Sequence, residues 1–195
     1  MQYLWIVLVW TSYFFLHSFL ADLKVKNFWY QKFPALKKTY RFYYNIFATI
    51  TLIAATYFHF QQPPHFVFVA TIWSKITALV LAITGGWVLR LAFKNYDTQE
   101  FMGFRQQQAA EEVHKYLSIQ GINAWVRHPI YLGALLVFAG VFVYQPTFAN
   151  LALLGVVILY IFVGVYLEEQ KLLKVFGQSY KDYKKKVRML IPRIL

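Results

Sequence analysis

Apolar residues come in long unbroken runs rather than in alternation, and short polar stretches separate the runs. A helix rises about 1.5 Å per residue, so about 20 apolar residues cross the hydrocarbon of a bilayer. The first run is Tyr3 to Leu20. The second goes from about Phe42 to Phe60 and closes at Gln61-Gln62-Pro63-Pro64. The third covers about Phe66 to Phe93, long enough to tilt. Lys75 and Arg90 are placed to snorkel from its ends, and Gly85-Gly86 permits a kink or close helix approach. The fourth is short, from Pro129 to near Tyr144. There Gln145-Pro146-Thr147 makes a tight turn into the fifth, Phe148 to Leu167, so spans four and five form an antiparallel hairpin. From Glu168 the chain is basic and amphipathic, with Gly177 as a helix stop. The pattern predicts an all-α integral membrane protein of about five transmembrane helices with a C-terminal amphipathic cytoplasmic helix. The first run lacks a basic leader and reads as a retained anchor. No repeat or linker interrupts the chain. Residues 1–195 are expected to form a single membrane domain, with a three-span half over 1–93 and a second half, of loop, hairpin and basic tail, over 94–195.

Composition sharpens this. Of 195 residues, 59% are hydrophobic and 14% charged, where a soluble domain averages about 45–50% and about 25%. An ordinary soluble globule is excluded, and so is a membrane β-barrel, which needs alternating polarity. The net charge of +12 would suggest nucleic acid in a soluble protein. In a membrane protein it reports cytoplasmic loops and anionic lipid at the basic tail, with no nucleic-acid partner. Residues 22–41 hold six basic residues against one acid, and the tail from Glu168 holds eight against three. In a five-span chain these segments and the polar stretch after span three share one side. The bias places the N-terminus outside and the C-terminus in the cytoplasm. A bacterial inner membrane is favoured, with an endoplasmic reticulum or nuclear membrane left open. The absence of cysteine excludes disulfides, thiolate metal sites and a cysteine nucleophile, and no metal site is expected.

Two features could carry chemistry. Arg127-His128-Pro129 opens span four, and proline suits a first helical turn. The N–H groups of Ile130, Tyr131 and Leu132 would then face the interface, and a helix start with Arg and His beside it attracts anions. Glu168-Glu169 follows span five, which the hairpin returns to the same side. An anion-binding helix start opposite a carboxylate pair fits a zwitterionic amino acid group. S-adenosylmethionine presents such a group, although the sequence alone does not force that ligand. The bland alternatives are interfacial anchors at the helix start and a solvated Glu pair beside Lys171 or Lys174. Paired histidines in spans can ligate haem. His17 and His59 sit at opposite ends of their spans, roughly 20 Å apart in depth, so a shared iron is excluded.

Arg127-His128-Pro129-Ile130-Tyr131-Leu132-Gly133, a short hairpin, Glu168-Glu169, then Leu-x-x-x-Phe-Gly-x-x-Tyr-x-x-Tyr-x-x-x-Val resembles the C-terminal half of the isoprenylcysteine carboxyl methyltransferase and phospholipid methyltransferase superfamily. The match covers about 75 residues from Gly121. His17-Ser18, Tyr40-Arg41-Phe42-Tyr43 and Asp97-x-x-Glu100-Phe101-Met102-Gly103-Phe104-Arg105-Gln106 are similar to the NnrU/nurim-like branch, which includes methanethiol S-methyltransferases. The resemblance implies S-adenosylmethionine bound at the cytoplasmic side, with a lipophilic acceptor entering from the membrane. Residues 1–93 become the acceptor side and 94–195 the cofactor-binding half. By position, Arg127, His128, Pro129, Tyr131 and Gly133 would line the cofactor site. Glu168 and Glu169 would hold its amino group, and Gly121 would mark the loop turn. Where family members commonly carry Gly-x-Tyr, this chain has Gly121-Ile122-Asn123, and Trp125 is the substitute aromatic.

Methyl transfer from a sulfonium is an in-line displacement needing a near-attack geometry. A thiol acceptor must also lose a proton, since the thiolate is the nucleophile. Asp97, Glu100 and His128 are candidate bases, and Arg105 or Arg41 could steer an anionic acceptor. A small thiol such as methanethiol is the favoured acceptor, with a prenylcysteine carboxylate or a phospholipid headgroup as alternatives. Of other classes, a non-catalytic NnrU-like scaffold remains open. A transporter ranks last, because the spans offer almost no polar residues at mid-bilayer.

Overall fold

The computed structural model describes residues 2–94 and 117–190. It is all-helical apart from two isolated β-bridges among those residues. Two compact units emerge.

The first unit contains α1 (Gln2–Ala21), α2 (Leu23–Lys32), a 3-10 turn over Pro34–Lys38 and α3 (Tyr40–Phe60). Asp22 separates α1 from α2 and caps the latter, its carboxylate accepting the Lys24 N–H at 2.9 Å. Three contacts fix α1 and α3 as an antiparallel pair. The Trp10 indole donates to His59 Nδ1 at 3.2 Å, the Tyr44 hydroxyl meets the His17 ring at 3.1 Å, and the Tyr40 hydroxyl donates to the Leu20 carbonyl. The two histidines on these apolar helices thus find partners, as low dielectric demands. His17 and His59 lie at opposite ends of the pair. The short α2 is an element that its lysines disguise. Val25, Trp29 and Tyr30 are half-buried on one side while Leu23 and Phe28 are exposed.

The second unit contains α4 (Ile72–Phe93), a 3-10 turn over Gly121–Ala124, α5 (Pro129–Tyr144), α6 (Phe148–Phe176) and α7 (Gln178–Lys186). The helix expected from Phe66 starts at Ile72. Thr71 and Ser74 form a reciprocal capping box there. The residues before it are extended instead: Val67 N–H donates to the Pro146 carbonyl at 2.7 Å and Phe148 N–H to His65 at 2.9 Å. The preceding loop is thereby fastened to the turn between α5 and α6. Thr147 caps α6 by accepting the Asn150 N–H, and the buried Asn150 amide donates to the Gln145 carbonyl.

Helices α4 and α5 run antiparallel with backbones nearly touching. A Cβ added at Gly85 would lie 2.8 Å from the Gly133 carbonyl oxygen, and one at Gly133 would lie 2.7 Å from Leu89 Cγ. One at Gly140 would lie 3.0 Å from the Ala78 carbonyl oxygen. The small face of α5 therefore packs on α4. By packing, α4 belongs with the C-terminal helices.

Among the described residues, three helices are long and apolar enough to cross a membrane: α1 over Tyr3–Ala21, α4 and α6. Helix α5 is apolar but has 16 residues, about 24 Å of rise against about 30 Å of hydrocarbon. Helix α3 has the length, 21 residues, but carries Arg41, Asn45, His59 and four tyrosines. Helix α6 continues nine residues beyond Leu167, to Phe176. Gly177, at φ 52°, ends it and turns the chain into α7.

Candidate functional site

The residues before α5 are held from both sides. Gly121, at φ 60°, opens the 3-10 turn. The Trp125 and Val126 N–H groups then close onto the Ile122 carbonyl. Val126 is buried and forms a parallel bridge with Arg188. Arg127 N–H donates to the Arg188 carbonyl at 2.8 Å, and His128 N–H to that of Met189 at 3.2 Å. Residues 187–190 thus lie as a strap along residues 126–128. Pro129, buried, supplies the first residue of α5, where its missing N–H costs nothing.

This fixes two cationic side chains against the far end of α6. The apolar run of α6 ends at Leu167, so Glu168 and Glu169 stand just past the membrane-spanning stretch. Arg127 donates through Nε to Glu169 Oε1 at 2.9 Å, and its Nη2 lies 2.8 Å from the same oxygen. Its Nη1 donates to the carbonyls of Val187 and Lys184. His128, 3% exposed, sits between the two acids, Nε2 3.4 Å from Glu169 and Nδ1 3.5 Å from Glu168. Lys184 of α7 donates to Glu169 Oε2. Burial alone would raise the Glu169 pKa, but His128, Lys184 and Arg127 together hold it far below the carboxylate range. Burial alone would lower His128, yet its bonds to Glu168 and Glu169 hold it above its ordinary 6.5.

The two charge groups therefore converge, but on each other. Glu169 is engaged by three cationic side chains and is 8% exposed. A charge buried that deeply needs partners, and these three cations supply them. Glu168 differs: its side chain is 44% exposed, with His128 Nδ1 at 3.5 Å. Arg127 is likewise engaged by Glu169 and two carbonyls. His128 has a carboxylate near each ring nitrogen, which holds its pKa up. At the α5 start the Leu132 N–H already donates to the His128 carbonyl at 3.1 Å, so the expected row of three open N–H groups is shorter by one.

Other expected site residues fall in several places. Tyr131 lies beside His128, ring centroids 5.8 Å apart, and its hydroxyl reaches the open side of Gly164 on α6. Gly133 faces α4, so packing accounts for its lack of a side chain. Trp125 is 69% exposed. Asp97, Glu100 and Arg105 lie outside the described residues.

Sequence reasoning missed three participants. Lys184 is the third cation on Glu169. Tyr180 is 1% exposed and in the field of Glu169, and its hydroxyl has no hydrogen-bond partner among the described residues. Tyr183 donates to the Asn123 carbonyl at 2.6 Å, and burial pushes its pKa up to about 12. The helical spacing of Tyr180, Tyr183 and Val187 was visible, but a lipid-facing stripe and a docking stripe have the same period.

Known proteins place this geometry in context. A model of the phospholipid methyltransferase family matches residues 73–179, a stretch that runs from α4 through Glu169 to the start of α7. The methanethiol S-methyltransferase 1 of Bradyrhizobium diazoefficiens is 30% identical over 182 residues, 90% of this chain and 62% of the relative. This chain thus spans less than two thirds of that relative's length. The methanethiol S-methyltransferase of Crocosphaera subtropica is 29% identical, covering 91% of this chain and 70% of the relative. That of Mycobacterium tuberculosis is 30% identical, covering 90% and 72%. No solved structure matches the chain.

Proposed function

The chain belongs to the phospholipid methyltransferase family, and from that premise we propose that it is an S-adenosylmethionine-dependent methyltransferase of the membrane. Its acceptor on this reading is a small lipophilic thiol such as methanethiol. The observation that carries the reading is the fixed meeting of Arg127-His128, at the head of α5, with Glu168-Glu169, at the end of α6, inside the family-matched stretch.

The donor set fits the cofactor. Glu168 is a half-exposed carboxylate beside a rigid cluster, suited to an ammonium group. Trp125 offers an exposed aromatic face close in sequence, suited to an adenine. The buried Tyr180 hydroxyl is an orphaned polar atom within the cluster, and such groups call for a partner. When bound, S-adenosylmethionine supplies a methyl group on a sulfonium, open to in-line displacement. Arg127, Glu169 and Lys184 hold the α5 head, the α6 end and α7 in one arrangement, so that Glu168 is presented without reorganisation. His128 keeps Glu168 oriented from beneath. A thiol acceptor still needs a base, and Asp97, Glu100 and His128 are the candidates.

In this reading α1, α3, α4, α5 and α6 are five spans. The short α5 forms a hairpin with α6, with the N-terminus outside and the site and tail cytoplasmic, in a bacterial inner membrane. The acceptor enters from the lipid. A phospholipid acceptor is the second reading, favoured by the family model over 73–179. The test is calorimetric titration of the purified protein with S-adenosylmethionine. Mass spectrometry then identifies the product after incubation with methanethiol, a prenylcysteine or phosphatidylethanolamine. Dimethyl sulfide from methanethiol supports the first reading, a methylated lipid replaces it with the second, and absence of cofactor binding removes both.

A further inference from the structure

The strap over residues 126–128 has a second face. After Gly177 the chain doubles back along the end of α6, so Lys184 returns to the level of Glu169 and Arg188 to that of Val126. Both levels lie at the edge of apolar runs: Glu168 directly follows the run ending at Leu167, and Pro129 begins the run of α5. The fold-back thus carries α7 and the strap to the ends of these two runs. Tyr180, Tyr183 and Leu190 are buried toward the site, while Lys181, Lys185, Lys186 and Arg188 are exposed on the other side. Asp182 is the one acid among them, paired with Lys185 at 3.2 Å. Four cations against one acid remain on this exposed face, level with the ends of those apolar runs.

The geometry points to an anionic phospholipid surface as the partner of this face, with a consequence for the site beneath. Lipid phosphates that hold Lys181, Lys185, Lys186 and Arg188 press α7 and the strap onto Val126, Arg127 and His128. The membrane's charge therefore sets how long the Arg127–Glu169 arrangement stays closed. Charge complementarity selects the partner: an uncharged bilayer offers these side chains no compensating field, whereas acidic headgroups attract each basic residue within a Debye length. The link to catalysis rests on the function proposed above; the lipid step stands without it.

The test is hydrogen exchange on the full chain in nanodiscs, without cofactor. One sample holds phosphatidylcholine alone and the other a mixture rich in phosphatidylglycerol. The amides of Arg127 and His128, which donate to the strap, are expected to exchange about fivefold more slowly in the acidic discs. The Asn150 amide at the opposite end of α6 serves as the internal control and stays unchanged. High salt and the combined variant K181Q/K185Q/K186Q/R188Q each remove the difference while leaving exchange in phosphatidylcholine as it was. Equal exchange in the two lipids, or a lipid effect that survives in the variant, overturns the proposal. A parallel titration with S-adenosylmethionine separates the two claims: a lipid effect without cofactor binding sinks the function and leaves the lipid step standing.

Discussion

Arg127 and Glu169 are forty-two positions apart in the chain and 2.8 Å apart in space. That one contact joins the head of α5 to the end of α6. Because Arg127 also binds the Val187 and Lys184 carbonyls, it joins both to the tail. Breaking it leaves buried charge on two sides. Glu169→Ala strands Arg127, His128 and Lys184 and is expected to destabilise the second unit by about 3–5 kcal/mol. It should be read as a lower thermal midpoint in detergent.

Glu168 should behave differently from its neighbour. Its exposure means that Glu168→Gln changes stability by less than about 1 kcal/mol. If Glu168 receives the ammonium group of the cofactor, the same change weakens S-adenosylmethionine affinity by about tenfold or more. Calorimetric titration beside a thermal melt separates the two. A variant that melts normally and binds normally removes Glu168 from the site.

The nearness of these charges was legible in the sequence, from the lengths of two apolar runs and the turn between them. An apolar run from Pro129, a three-residue turn and a second run to Leu167 return the acids of residues 168–169 to the level of Arg127. What the sequence could not reveal was which charges satisfy which. Zwitterion recognition and a self-contained ion cluster need the same residue types, and the choice rests on a strap contributed by residues 187–190. The start of α4 was misplaced because Phe66–Val69 is as apolar as a helix, while the Thr71–Ser74 capping box that sets the boundary is weak in sequence. Helix α2 was hidden by its lysines, which snorkel from an interfacial helix as readily as they solvate a loop.

The acid–base behaviour of the cluster follows from the same contacts. Glu169 is depressed, so its stabilisation is present above its ordinary 4.5 and is lost as pH falls toward the folded-state value. His128 is raised, so its contribution is complete below 6.5 and is lost as pH rises through the folded-state value. The thermal midpoint should therefore decline on the alkaline side at pH values where free histidine has already titrated. His128→Gln should flatten that alkaline limb while leaving the acid limb in place. An unchanged alkaline limb in the variant would show that another group is responsible.

Adjacent glycines on α4 give the sharpest test of the packing that carries α5. An alanine Cβ at Gly85 would stand 2.8 Å from the Gly133 carbonyl oxygen and 2.9 Å from Val137 Cγ2, closer than such atoms approach, and the first neighbour is backbone that cannot swing aside. One residue on, a Cβ at Gly86 meets nothing within 4 Å. Gly85→Ala should force α4 and α5 apart and destabilise the protein by about 1–3 kcal/mol. Gly86→Ala should be neutral or stabilising by about 0.5–1 kcal/mol, since glycine is costly inside a helix. Both are read by thermal unfolding in one detergent. Because the α5 head carries Arg127 and His128, Gly85→Ala should also weaken S-adenosylmethionine binding, although Gly85 is remote from Glu168 in sequence and makes no polar side-chain contact of its own. Equal behaviour of the two variants would mean that the helices do not meet at Gly85 and Gly133.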